Sequence, residues 1–174
     1  MCSALRLRKG CKHLNIDRIL SELNNAKVDY ILIGGVNFLL RHSGPLTHDV
    51  DVWVNDSDDN LSRMLSALRN LNAEWGRTDA TWGTIPNDIS WLKIQPVFCL
   101  LTSAGSLDIF RDVRGLEGKY VECRDRAISG QTANSIPFLA LSDSDMLQTQ
   151  LVLEPTEQKQ DRISALRRAL QSLD

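Results

Sequence analysis

Apolar positions along this chain switch between a period near 3.6 and a period of 2, and the switches mark the elements. Leu14, Ile16, Ile19, Leu20 and Leu23 share one helical face, which predicts a helix over residues 15–26. YILIGG, residues 30–35, follows as a short apolar strand stopped by two glycines. Residues 36–41 can form a turn or two of helix before Ser43-Gly44-Pro45 interrupts the pattern. Val50, Val52 and Val54 then alternate with Asp49, Asp51 and Trp53, the signature of a strand. Asn55 and Asp56 end it, and Ser57 or Asp58 caps a helix reaching Leu71, with Leu61, Met64, Leu65 and Leu68 on its buried stripe.

The second half is less regular. Residues 73–90, AEWGRTDATWGTIPNDIS, are polar and Gly-containing and predict a long loop. Strands are expected at 92–101 and 107–110 around a turn at 103–106, with shorter ones near 119–123 and 136–139. A helix is expected from Ser142 past Met146, Leu147 and Leu151, and Pro155 separates it from a last helix over 157–173. The order predicts an α/β (α+β) fold, a mixed sheet with flanking helices and a helical C-terminus.

No repeat or low-complexity linker divides the chain, so residues 14–174 read as one domain behind a flexible basic tail over residues 1–13, with Arg6, Arg8, Lys9 and Lys12. At 174 residues the chain can bury roughly 70% of the surface its unfolded form exposes. Twenty Lys and Arg against 22 Asp and Glu leave a formal charge of −2, which argues against coating DNA by bulk electrostatics. No apolar run approaches the roughly 20 residues needed to cross a bilayer, and the first residues lack the apolar core of a secretory signal. Cys2, Cys11, Cys99 and Cys123 show no metal-finger spacing, so four reduced thiols and a cytoplasmic location are expected.

Three features suggest chemistry. Gly34-Gly35 closes a strand and opens a helix, where backbone amides can approach an anion closely. Asp49 and Asp51 lie two apart on a strand, so both carboxylates point to one face, roughly 6.5 Å apart along the chain. Hard oxygen ligands of this kind suit magnesium together with substrate phosphates. Asp108, flanked by Leu107 and Ile109, becomes a third carboxylate if its strand pairs beside residues 50–54. Three acids that close repel one another unless cations lie among them. Taken singly, each feature has an ordinary reading: a tight turn, or an acid on a strand facing water.

Taken together, ILIGG, a 13-residue gap, Asp49-Val50-Asp51 and the later Leu107-Asp108-Ile109 resemble the nucleotidyltransferase superfamily with the DNA-polymerase-beta-like palm. LTHDVDVWV is similar to the stand-alone bacterial members, including minimal nucleotidyltransferases and relatives from abortive-infection or toxin–antitoxin loci. Thr47, two residues before the first acid, matches their pattern, and IPFLALSDSDML and KQDRISALRRAL are similar to it, with one extra Gln160 between Lys159 and Asp161. The resemblance implies transfer of a nucleoside monophosphate from a nucleoside triphosphate (NTP), with two magnesium ions and release of pyrophosphate. By that resemblance Asp49, Asp51 and Asp108 hold the metal and carry catalysis, while Gly34, Gly35 and Thr47 bind the nucleotide. The implied acceptor is a protein, a tRNA end or a small molecule such as an aminoglycoside or lincosamide antibiotic. The competing class is a non-catalytic partner protein of a toxin–antitoxin type system.

Those relatives tend to carry Arg where Pro45 stands and Lys near Gln150, and Arg41, Arg111 and Lys159 are the candidate replacements. Asn37 reads mainly as a residue that caps and solvates its helix, with a place near the phosphates as the alternative, and Arg162, Arg167 and Arg168 read as the solvent face of the last helix. Trp75, Trp82 and Trp91 read mainly as staples of the long loop, with base stacking as the alternative. Trp53 shares the face of the two acids; His13 and His42 have no recognisable partner.

Overall fold

The computed structural model describes residues 13–172. Asn15 caps the first described helix, α1 (Ile16–Asn25), by accepting from the Arg18 amide at 2.9 Å. Strand β1 (Tyr30–Ile33) runs directly into α2 (Gly34–His42), and β2 (Asp49–Val54) into α3 (Asp58–Asn70), which Ser57 caps. Two short strands, β3 (Glu74–Trp75) and β4 (Gly83–Thr84), precede the hairpin of β5 (Val97–Thr102) and β6 (Gly105–Phe110). Then come α4 (Tyr120–Asp125), β7 (Ile128–Gln131), β8 (Pro137–Ala140), α5 (Asp143–Leu151) and α6 (Gln160–Gln171).

Among the described residues, the eight strands join one mixed sheet in the order β4-β3-β5-β6-β2-β1-β8-β7. The central strand β2 runs antiparallel to β1 and parallel to β6. Side-chain alternation sorts the core into two faces. Leu32, Val50, Val52, Leu107 and Ile109 pack with Ile19, Leu20 and Leu23 of α1 and Leu61, Met64 and Leu68 of α3. Ile31, Ile33 and Trp53 face the other way, against Phe38 of α2, Met146 of α5 and Leu166 of α6. Asp49, Asp51 and Asp108 fall on this second face, Asp49 at the start of β2 and Asp51 beside Asp108 of β6.

The element order follows the predicted one, with corrections in the second half. Residues 73–90 are not all loop, because β3 and β4 extend the sheet. The strand expected over 92–101 begins only at Val97, after a 3-10 turn at Ile89–Lys93 that buries Trp91 and Leu92. The strand expected near 119–123 is the helix α4, and β7 was not anticipated. Trp75 and Trp91 pack on Phe98 with ring centroids 5.5 and 4.9 Å away, the stapling role expected of them. The half-buried Trp82 ring N–H donates to Glu74. Of the basic tail only the exposed His13 is described; residues 1–12, with Cys2 and Cys11, lie outside the described residues. Cys123 is a buried free thiol, but Cys99 is disulfide-bonded, against the expectation of four reduced cysteines. Among the described residues, no helix is long and apolar enough to cross a membrane.

One polar residue ties the layers together. Asn60, 2% exposed, accepts from the Asp29 amide at 2.7 Å and donates to the Asp29 and Asn55 carbonyls at 2.9 and 2.8 Å. It thereby fixes the loops that enter β1 and leave β2. Asn60→Ala strands three backbone groups and is expected to cost about 2–3 kcal/mol. Thermal unfolding should show this as a midpoint lowered by about 5–10 °C.

Candidate active site

Residues 33–35 are where β1 becomes α2. Ile33 is extended, and Gly34 follows at φ +66°, a conformation that side chains disfavour. The turn brings the start of α2 against β2, so closely that a Cβ on Gly34 would lie 1.9 Å from Asp51 Oδ2. The Gly35 amide donates to that same oxygen at 3.3 Å. The amides at the start of α2 thus fix the direction of the Asp51 carboxylate. On the loop before β2, the Thr47 hydroxyl donates to Asp49 Oδ1 at 3.0 Å and fills the space where a Gly35 side chain would stand.

Parallel pairing of β2 with β6 sets Asp51 directly beside Asp108. Asp49, Asp51 and Asp108 each offer a carboxylate oxygen, and these oxygens lie within 4.8 Å of one another. The third acid is 9% exposed and the other two are half-buried. All six sequence-predicted site residues therefore converge: three carboxylates, two glycines at a helix start and the threonine that orients Asp49. Three hard oxygen donors at this separation suit divalent cations, and Gly34 supplies the clearance beside them.

The cluster opens into a cavity of about 820 Å³. One wall is α2 with the Ser43–Thr47 segment, where Pro45 and Leu46 are exposed. The other is the start of α6, with Lys159, Gln160, Asp161 and Arg162. A second, mainly apolar cavity of about 290 Å³ adjoins it, lined by Phe110, Val113, Leu141, Met146 and Leu153 with Thr149 and Gln150. Ile33, Gly34, Phe110 and Arg162 line both.

Several basic and polar residues stand elsewhere than the sequence suggested. Arg111 donates twice to Asp56, at 2.6 and 2.7 Å, and Arg41 pairs with Asp143 at 2.8 Å while bonding the Leu141 carbonyl. Of the three candidate replacements only Lys159 reaches the cavity wall. Arg162 is not on a solvent face: it is half-buried, its guanidinium carbon 5.0 Å from the centre of the Phe38 ring. Burial pulls its pKa below the ordinary guanidinium value, while the charge of Asp51 works the other way. Asn37 is fully buried, donating to the Leu141 carbonyl at 3.0 Å and to Met146 Sδ at 3.1 Å, so it docks α2 on α5 instead of meeting solvent. His42 has partners after all, Asp143 at 2.9 Å and the stacked Phe38 ring. Gln150 is buried and accepts from the Lys159 amide at 3.2 Å, which sets the start of α6. Trp53 shares the acids' face but is 1% exposed, edge-on to Tyr120 in the core.

The architecture has close counterparts among solved structures. The lincosamide antibiotic adenylyltransferase LnuA, bound to lincomycin, superposes with a TM-score of 0.54 at 13% identity, over 90% of this chain and 98% of that one. The antibiotic-resistance factor ANT(2'')-Ia, in complex with adenylyl-2''-tobramycin, gives 0.52 at 14% identity, over 91% and 87%. The Thermotoga maritima protein TM1012, assigned as a nucleotidyltransferase, gives 0.50 at 16% identity, over 99% and 96%. No protein-family model matches the chain, and no curated protein matches its sequence. At these identities the likeness is one of fold.

Proposed function

We propose that this chain, which has the nucleotidyltransferase fold, is a magnesium-dependent nucleotidyltransferase that moves a nucleoside monophosphate from an NTP to an acceptor hydroxyl and releases pyrophosphate. The observation that carries this reading is the convergence of Asp49, Asp51 and Asp108 on one point beside the start of α2. A merely solvated set of acids has no reason to be backed by a glycine whose only spare volume is the volume the carboxylate occupies.

The roles follow from position. Asp49 and Asp51 hold the cations, Asp49 aimed by the Thr47 hydroxyl and Asp51 by the Gly35 amide. Magnesium bound there supplies charge neutralisation on the triphosphate and acidifies the attacking hydroxyl. The amides at the start of α2 lie against the triphosphate. Asp108, on the neighbouring strand, receives the acceptor's proton. The acceptor oxygen forms a bond to the α-phosphorus, the bond from that phosphorus to the bridging oxygen breaks, and its electron pair leaves on pyrophosphate. The two neighbours whose antibiotic ligands are known make small hydroxyl-bearing molecules the first acceptors to try, ahead of a protein or tRNA end.

Thermal unfolding in magnesium with each of the four NTPs tests the reading without knowledge of the acceptor. At about 100 times Kd a ligand adds roughly 2.7 kcal/mol, which for this size raises the midpoint by about 5–10 °C. A shift that needs both magnesium and one of the triphosphates is the expected result. The absence of any shift at millimolar nucleotide would overturn it.

A further inference from the structure

Magnesium neutralises only part of a triphosphate's charge, and two of the three cations the sequence nominated for the remainder, Arg41 and Arg111, are held by Asp143 and Asp56. Arg162 is differently placed. Among the described residues it makes no hydrogen bond and no ion pair, although it is half-buried and carries five N–H donors. Its guanidinium lies over the Phe38 ring, on the wall shared by the polar and the apolar cavity. Phe38 itself stands on the second turn of α2, the helix whose start carries Gly34 and Gly35. Arg162 belongs to the first turn of α6, and Gln150 fixes that turn through the Lys159 amide. A half-buried guanidinium on a cavity wall keeps its fork of donors available to an acceptor that enters the cavity. Phosphate oxygens suit that fork, because guanidinium presents paired N–H groups to them.

We propose that Arg162 is the phosphate clamp of this site, binding the β- and γ-phosphates of the NTP from the α6 side while the start of α2 meets them from the other. The inference rests on the nucleotidyltransferase reading and gives it a residue specific to this chain. Arg162 then also takes up the charge that develops on pyrophosphate as the α-phosphorus bond breaks. Phe38 holds the guanidinium in aim through its ring face. Lys159, exposed on the same wall, contributes charge but no fixed geometry. The apolar cavity on the far side of Arg162 is left for an uncharged part of a substrate.

The test compares the native chain with Arg162→Met, which keeps the bulk over Phe38, and Arg162→Lys, which keeps the charge without the fork. Each is titrated in magnesium with the NTP that shifts the native midpoint most, with inorganic pyrophosphate, and with the corresponding nucleoside monophosphate. Arg162→Met is expected to weaken the triphosphate and pyrophosphate by about tenfold or more, the loss of one charge-assisted pair. Binding of the monophosphate should change by no more than about twofold, within the ordinary scatter of a single weak contact. Arg162→Lys should fall between native and Arg162→Met. Native-like binding of pyrophosphate and triphosphate by Arg162→Met would overturn the proposal and leave the nucleotidyltransferase reading standing. Equal weakening of all three ligands, with a lowered unfolding midpoint, would also overturn it, because that is the mark of a residue that only packs. A native chain that binds neither pyrophosphate nor any NTP would remove the reading and the clamp together.

Discussion

Asp49→Asn/Asp51→Asn is expected to abolish the magnesium-dependent stabilisation by NTP, whereas Asp108→Asn is expected to keep most of it and lose transfer by about three orders of magnitude. The asymmetry comes from placement. Asp49 and Asp51 lie on β2 against the start of α2, the proposed place of the triphosphate. Asp108 lies one strand away on β6, beside Asp51, and its proposed part is the acceptor's proton. Asparagine preserves the shape of each side chain and one oxygen acceptor. The bonds from Thr47 to Asp49 and from the Gly35 amide to Asp51 can therefore persist in the variants. The loss is confined to charge, so the unfolding midpoint without ligand should stay within a few degrees of native. Calorimetric titration of each variant with magnesium and NTP, followed by release of pyrophosphate with an acceptor, separates the two effects. Undiminished nucleotide binding by the double variant would mean that the carboxylates do not hold the metal. Full transfer by Asp108→Asn would remove that residue from the chemistry.

Much of this was legible in the chain because regular structure writes its period into the sequence. The alternation over Asp49–Val54 fixed both the strand and the face on which its acids stand. The stripe through Leu61 and Leu68 fixed α3. What could not be read was pairing. Nothing local says that β6 lies parallel beside β2, and that register is what brings Asp108 to Asp51. Local pattern also misled where elements are short. KYVEC holds the strand formers Tyr120 and Val121, yet only Cys123 within α4 is buried, and the segment follows turns at Gly115 and Gly118 with positive φ. β3 and β4 have two residues each and leave no period to detect.

Arg162 was missed for a related reason. Grouped with Arg167 and Arg168 it reads as solvated charge, and those two are indeed exposed. The usable signal was spacing: Arg162 is four residues before the buried Leu166 and so shares its face of α6. That spacing places the side chain against the core but does not set it on the wall of the carboxylate cavity. The second fact required the tertiary contact between α6 and α2.

Gly34→Ala is the substitution expected to do most harm per atom added. Two effects combine at one position. Gly34 has φ +66°, where an L side chain costs about 1–2 kcal/mol. The new methyl would also stand 1.9 Å from Asp51 Oδ2 and 2.6 Å from its Cγ, far inside contact distance. The carboxylate cannot simply move away, since Asp51 lies in the central strand with β1 on one side and β6 on the other. Relief must come from a shift of α2 or from rotation of Asp51 off its Gly35 hydrogen bond, and either dismantles the proposed nucleotide site. The expected cost is about 2–4 kcal/mol of stability, seen as a midpoint lowered on the order of 10 °C, together with loss of detectable magnesium–NTP binding. Gly35→Ala provides a graded comparison. Its φ is not positive, and its methyl meets the Thr47 hydroxyl at 2.6 Å, a group that can rotate. It should cost less stability but release Asp49 from Thr47 and weaken the nucleotide. Gly83→Ala, on the edge strand β4 with nothing within 4 Å of the added carbon, should leave both stability and binding unchanged. If Gly34→Ala behaved like Gly83→Ala, the close approach of α2 to β2 would not be what builds the site. The loss of binding would then have to be sought in the carboxylates alone.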